Sequence, residues 1–276
     1  MKTMLRLLGV LSLSTAIAVS QTTAPAVEMA PPSCPASSGG RPVSITPAKR
    51  PTADQIKATA EEAAADPTVI VAAEPVANFG VERYRLADYA ECVGGGGCYW
   101  ADVDAQTRRA EVVLDRAVAL AKPGEKLAMV LDIDETSLSG FCELRREDYG
   151  FLLASFNKWV VTPDAAMPIP GTVRLFNKAR AEGVEVFFVT GRWDEQREAT
   201  AKNLELAGYK GWKGLSLRVG PQKQMATVAY KSEERKKIVD AGYRIVLNMG
   251  DQWSDLNGQA RGEVSVKLPN PFYYLP

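Results

Sequence analysis

Between residues 127 and 268 short apolar runs alternate with stretches of helical periodicity, which predicts an α/β protein with a parallel sheet and helices on both faces. Two further observations support this class. Most of the apolar runs end in polar clusters, as strands do where a doubly wound sheet opens to a ligand. One of them, Ala128-Met129-Val130-Leu131, passes directly into Asp132-Ile133-Asp134-Glu135-Thr136, and carboxylates buried there cost free energy unless they are paired or hold a metal.

Taken in order, residues 1–20 read as an export signal: Lys2 and Arg6 precede an apolar run, and Ala18-Val19-Ser20 offers a small-x-small cleavage site before Gln21. The run is shorter than the roughly 20 residues a membrane span requires, so a periplasmic or secreted protein is expected, with no stable membrane insertion after cleavage. Cys34 follows Pro-Pro-Ser, which is not a lipid-attachment pattern. Residues 21–68 read as a Pro/Ala-rich linker, with seven prolines between positions 25 and 51 and no aromatic residue in that stretch. Within the linker, Thr52-Ala53-Asp54-Gln55 is a capping-box pattern that predicts a short helix running to Ala65. The folded body is expected over residues 69–276.

Export makes disulfides possible. Cys92 and Cys98 bracket Val93-Gly94-Gly95-Gly96-Gly97, a loop flexible enough to close a small ring, and are the expected pair, with free thiols as the alternative. Cys34 and Cys142 would be left over, a pairing the sequence alone does not support. From Asp102, apolar residues at Ala110, Val113, Leu114, Ala117, Val118 and Ala121 predict an amphipathic helix that stops at Pro123-Gly124. Strands are then predicted over 127–133, 184–189, 215–219, 243–249 and 264–268, and helices over 172–181, 195–207, 233–240 and 252–259.

Composition removes whole classes of chemistry. The 276 residues include no histidine, so Ser-His-Asp and Cys-His systems, His-Glu-x-x-His zinc sites and phosphohistidine intermediates are excluded. Lys+Arg and Asp+Glu are equal at 33 each, and no long basic run marks a nucleic-acid footprint. Catalysis would have to use carboxylates, hydroxyls, lysines, arginines or a metal held by oxygen.

The strand ends supply such groups. They are Asp132 and Asp134, then Thr190-Gly191-Arg192, then Lys231-Ser232 opening a helix, then Gly250-Asp251-Gln252-Trp253-Ser254-Asp255. Each alone has a plain reading: Thr-Gly-Arg as a turn, Lys231 as solvated surface, Asp251 as a helix N-cap. Together they suit phosphoryl transfer. Asp132 can attack phosphorus, and Asp134 can give a proton to the leaving oxygen and later take one from water. Converging carboxylates require a divalent cation, and oxygen ligands beside a phosphate favour Mg2+. Its ligands would come from Asp132, Asp251, the Asp134 backbone carbonyl and nearby Asp255, while Thr190, Gly191 and Lys231 would hold the phosphoryl oxygens.

Asp-Ile-Asp-Glu-Thr, Thr-Gly-Arg, Tyr-Lys-Ser and Gly-Asp-Gln-Trp-Ser-Asp-Leu resemble the four motifs of the haloacid dehalogenase superfamily, in its acid phosphatase branch, subfamily IIIB. That branch includes plant acid phosphatases, vegetative storage proteins and bacterial class C acid phosphatases. The resemblance runs from about Val81 to Tyr274 and beyond, and implies a three-layer Rossmann-like fold with a small helical cap inserted after the first strand, about residues 137–167. It implies Asp132 as nucleophile, Asp134 as acid/base, Thr190 and Lys231 on phosphate, and Asp251 and Asp255 at magnesium. An aspartate at position 134 fits phosphate hydrolysis, since dehalogenases of the superfamily lack that acid and its ion pumps carry threonine there.

The cap would set the substrate, expected to be a small phosphate monoester. Phe141, Tyr149, Phe151, Phe156 and Trp159 crowd it, either as core or with one or two stacking on a leaving group. Glu143, Arg145, Arg146 and Asp148 are expected as rim charges. A storage or binding protein on the same fold, and a phosphotransferase, are the alternatives to a phosphomonoesterase.

Overall fold

The computed structural model describes residues 31, 33–34, 51–72, 75–94, 96–150, 152–162 and 165–275. The leader over 1–20, most of the linker up to residue 50, and Phe151 lie outside them. Among the described residues the helices are α1 (Ala53–Ala64), α2 (Phe79–Glu91), α3 (Tyr99–Ala119), α4 (Phe141–Arg146), α5 (Leu153–Trp159), α6 (Pro170–Ala181), α7 (Arg197–Leu206), α8 (Thr227–Asp240) and α9 (Trp253–Leu256). The strands are β1 (Lys126–Leu131), β2 (Leu138–Ser139), β3 (Met167–Pro168), β4 (Glu185–Trp193), β5 (Gly214–Arg218), β6 (Tyr243–Gly250) and β7 (Val264–Lys267).

The main sheet has the order β5-β4-β1-β6-β7, and every neighbouring pair is parallel. Its two faces follow from the two-residue period of a strand. Met129 and Leu131 of β1, with Val186 and Phe188 of β4, join the larger core that includes Leu114 of α3 and Phe176 of α6. Ala128, Val130 and Val189 point the other way, against Tyr230 and Ile238 of α8. Burying each such Leu, Val or Phe side chain contributes about 1.5–3 kcal/mol, so both faces hold β1 as the central strand.

All five sheet strands were legible from the sequence. The helices needed more correction. The helix expected at 233–240 begins six residues earlier, at Thr227, so Lys231 and Ser232 lie inside α8 instead of opening it. Val228-Ala229-Tyr230 continue the helix because Tyr230 fills the core on that face of the sheet. The helix expected over 252–259 is only α9, because Gly258 is in the left-handed region at φ +86° and a Cβ there would lie 2.1 Å from the Ser232 hydroxyl. The helix expected over 195–207 divides into a 3-10 turn, Asp194–Gln196, and α7. Sequence periodicity missed α2, whose buried residues Ala87, Asp88 and Ala90 are small or polar. The capping box of α1 forms as expected, with Thr52 Oγ1 accepting from Gln55 N at 3.2 Å.

The antiparallel pair β2–β3 joins Ser139 to Met167 and closes off an insert carrying α4 and α5. Two disulfides complete the framework. Cys92–Cys98 ties the end of α2 to the start of α3, and Cys34–Cys142 ties the linker to α4.

The charged residues of the insert are internal struts more than a rim, because Glu143 is buried and ion-paired with Arg146. Arg145 reaches Glu91 at 3.4 Å, and Asp148 reaches Arg83 of α2 at 2.6 Å. Phe141 packs edge-on against Trp100 and Tyr149 stacks on Phe272, so these two rings are core.

Candidate active site

Asp132 sits one residue past β1, where its N–H still donates to Met249 O at 3.0 Å. The chain then turns sharply. The amides of Thr136, Ser137 and Leu138 all return to Ile133 O, Glu135 adopts φ 55°, and the Ser137 hydroxyl donates to Asp132 O at 2.6 Å. That turn fixes the directions of Asp132 and Asp134 before any other element contributes.

Three elements then close around Asp132. Lys231 of α8 donates from Nζ to Asp132 Oδ1 at 2.5 Å and also pairs with Asp255. Asp251 follows β6, and Asp255 lies on α9 one turn later. Carboxylate oxygens of Asp132, Asp251 and Asp255 all lie within 4.8 Å of one another, and all three residues are buried. Gly250 permits this approach: a Cβ there would come within 2.3 Å of Asp255 Cβ.

Burial pushes the Asp132 carboxyl well above the usual range; Lys231 opposes the rise, and Asp255, Asp251 and Asp134 add to it. Asp251 is pushed up to about 6 by burial and by Asp255, against hydrogen bonds from Asn270 and Gln252. Burial alone would lower Lys231, but Asp132 and Asp255 outweigh it and raise its pKa. Ionised, the three carboxylates exceed the single ammonium by two negative charges (three against one). A divalent cation would balance that excess, and the donor set is all oxygen, so the residues present fit Mg2+ as well as other hard divalent ions.

Asp134 stands apart from this cluster. Arg192 clamps its carboxylate with Nε and Nη2 at 2.8–3.3 Å, and Arg192 Nη1 donates to Thr200 Oγ1 of α7 at 3.1 Å. The Asp134 side chain is therefore committed to a guanidinium and not to the three-carboxylate group. Thr190 is fully buried, with its hydroxyl accepting from Arg192 N at 3.2 Å, and Gly191 beside it is exposed to the cleft. Both lie within β4, which runs on past its predicted end to Trp193 with an irregular register.

Several residues of the site were not singled out from the sequence. Thr136 Oγ1, Gln252 Nε2 and Asn270 Nδ2 all donate to Asp251, at 2.9, 2.7 and 2.7 Å. Asn270 comes from the last segment, where it lies between Pro269 and Pro271, a signal that the chain leaves the sheet there. Arg235 Nη1 donates to Asp255 O at 2.6 Å and anchors α9 to α8. Above the cluster a cleft of about 480 Å3 is lined on the apolar side by Leu153 and Phe156 of the insert, with Trp193, Tyr273 and Tyr274. Of the insert's rings named from the sequence, Phe156 reaches this cleft.

The parallel sheet with two carboxylates at the end of its central strand, a lysine from the preceding helix and an aspartate pair after β6 define the haloacid dehalogenase class of phosphoryl-transfer folds. Residues 49–276 match the family model of the HAD superfamily, subfamily IIIB (acid phosphatase). Acid phosphatase 1 of Solanum lycopersicum is 34% identical over 194 residues, spanning 69% of this chain and 75% of that protein. Vegetative storage protein 1 of Arabidopsis thaliana is 35% identical over 150 residues, 53% of this chain and 55% of that protein. The class C acid phosphatase of Bacillus anthracis has the same fold, with a TM-score of 0.57 at 24% identity over 70% of this chain and 86% of that one. The chain belongs to HAD subfamily IIIB, the acid phosphatases.

Proposed function

We propose that the protein is an exported, magnesium-dependent phosphomonoesterase that works through an aspartyl-phosphate. The observation that carries this reading is the contact of Lys231 Nζ with Asp132 Oδ1 inside the three-carboxylate cluster at the end of β1. Asp132 attacks the phosphorus of a small phosphate monoester, forming an O–P bond as the bond to the leaving oxygen breaks. Asp134, oriented by Arg192, gives its proton to that oxygen. Water then attacks the aspartyl-phosphate while Asp134 takes its proton back, releasing phosphate and restoring Asp132. Lys231, the Thr190 hydroxyl and the Gly191 amide hold the phosphoryl oxygens. Asp132, Asp251, the Asp134 carbonyl and Asp255 would hold Mg2+, which would offset charge on the phosphoryl group.

The class C acid phosphatase of Bacillus anthracis, a protein of this fold, has been solved with tungstate bound, an oxyanion as phosphate is. The insert closed by β2 and β3 acts as the cap that selects the leaving group. Export is supported by two disulfides, which persist in oxidising compartments, and by the leader-like residues 1–20. No helix among the described residues is long and apolar enough to cross a membrane.

Asp132→Asn should abolish phosphate release from 4-nitrophenyl phosphate, and chelation of the wild type should do so reversibly, with Mg2+ restoring turnover. Retained activity in the variant would rule out the mechanism. A wild type inert with Mg2+ from acid to neutral pH would favour the storage reading that the vegetative relatives raise. Transfer of phosphate to added alcohol would mark a phosphotransferase.

A further inference from the structure

Four cations line the cleft: Arg192, Arg218, Lys223 and Lys231. Three are ion-paired, Arg192 with Asp134, Lys223 with Glu195, and Lys231 with Asp132 and Asp255. Arg218, at the end of β5, has no carboxylate partner among the described residues, although it is only 6% exposed. It stacks over Tyr230 at 4.7 Å, and burial lowers its pKa, opposed by the Tyr230 phenol and by no carboxylate.

Its position sharpens the anomaly. Arg218 Nη2 donates to Thr227 Oγ1 at 2.9 Å, so the guanidinium lies against the first residue of α8. A helix N-terminus carries partial positive charge and is normally met by an acidic or capping side chain. Here Ala226 is the N-cap, no side chain caps the helix, and the first turn holds no acidic residue. A buried cation against an uncapped positive helix end is unfavourable alone and becomes favourable once an anion joins it. Arg218 also keeps donors for one. Nη1 serves Gln222 O and Met225 O at 2.9 and 2.7 Å, which leaves Nε and the second Nη2 hydrogen, while the Thr227 hydroxyl accepts from Arg218 and can donate onward.

We propose that Arg218 and Thr227 form a second anion subsite in the cleft, so that the preferred substrates are phosphate monoesters carrying another anionic group, a carboxylate or a second phosphate. The phosphoryl group that reacts sits at Asp132 and Lys231; the second anion sits at Arg218. The substrate assignment rests on the phosphomonoesterase reading, whereas the subsite rests on Arg218.

The test uses two matched pairs, phosphoglycolate against ethyl phosphate and adenosine 3′,5′-bisphosphate against 5′-AMP. In at least one pair the wild type should favour the member with the added anion by about tenfold or more in kcat/KM, the range of a charge-assisted hydrogen bond. The pair that responds distinguishes carboxylate from phosphate. Arg218→Gln should bring that ratio towards one, and Thr227→Val, which preserves shape, should lower it several-fold even if the arginine variant does not fold. Ratios near one in the wild type, or unchanged in the variants, would overturn the subsite. Calorimetric binding of the same four compounds to Asp132→Asn separates the two readings. A preference there without any wild-type turnover would remove the phosphatase and leave the subsite standing.

Discussion

Glu135 illustrates how the turn after β1 serves more than the aspartates on either side. Its carboxyl accepts from Gly140 N at 2.6 Å, Ser139 Oγ at 2.9 Å and Tyr99 OH at 3.2 Å, joining the entry of the insert to α3. Burial pushes it up to about 8; the Gly140 and Ser139 donors oppose the rise, and Asp251 and Asp134 add to it. The folded protein therefore keeps a proton that the unfolded chain releases near 4.5, so this contribution to stability is present below that pH and is lost as pH rises through about 8. Glu135→Gln removes the titrating carboxyl while keeping an acceptor for Gly140. Its melting temperature should fall less than that of the wild type between about pH 5 and about pH 8; equal slopes would refute the assignment. That Thr136 and Asn270 donate to Asp251 was not legible in the sequence, because they lie 115 and 19 positions away from it. Asp132, Asp134 and Asp251 stood out because they follow apolar runs, and Lys231 and Asp255 because they fall in the polar segments beside such runs; the structure brings Asp132, Lys231, Asp251 and Asp255 into one cluster.

At the scale of elements, strands were read more accurately than helices for a physical reason. A strand buried on both faces leaves a continuous apolar run, whereas α8 carries only a narrow buried stripe and reads as polar. The insert resisted reading for a related reason: α4 and α5 have six and seven residues, too few for a helical period to stand out. Its attachment is covalent as well as packed. Cys34–Cys142 spans 108 positions and Cys92–Cys98 only 6, and cross-linking the longer loop removes more freedom from the unfolded chain. Replacing both Cys34 and Cys142 by alanine should cost about 2–4 kcal/mol in denaturant unfolding, and the corresponding Cys92 and Cys98 double variant less. The opposite order would show that the linker bond does not constrain the unfolded chain.

For the whole molecule, the fold supplies the electrostatic imbalance that the site needs. Elements separated by more than 100 residues bring Asp132, Asp251 and Asp255 together around one lysine, and packing of α3, α6 and α8 across the sheet keeps them there. A cation that binds the folded state alone stabilises it by mass action, about 2.7 kcal/mol at a hundredfold excess over Kd. The melting temperature should therefore rise on titration with Mg2+, and Asp251→Asn should blunt the rise. A wild type whose melting is indifferent to millimolar Mg2+ would argue against a cation in this cluster. Alternation of strands and helices made the sheet legible. The order in which strands pair, with β1 between β4 and β6, is a long-range outcome that local pattern does not encode.

The disulfide connectivity carries a consequence for biogenesis. The bonds are nested, with Cys92–Cys98 lying inside the span of Cys34–Cys142. As the chain is made from its N-terminus, Cys34 is available long before Cys142, and the first thiol it can meet is Cys92. Oxidation in order of appearance would therefore trap the wrong partner, and the native pairing would then be reached by thiol exchange once Cys142 is available. Synthesis into an oxidising lumen, with thiols blocked at successive times, should show a Cys34-to-Cys92 or Cys34-to-Cys98 species before the native pair, and a disulfide isomerase should accelerate its conversion. Maturation of this enzyme would then depend on a shuffling activity in the compartment where it folds.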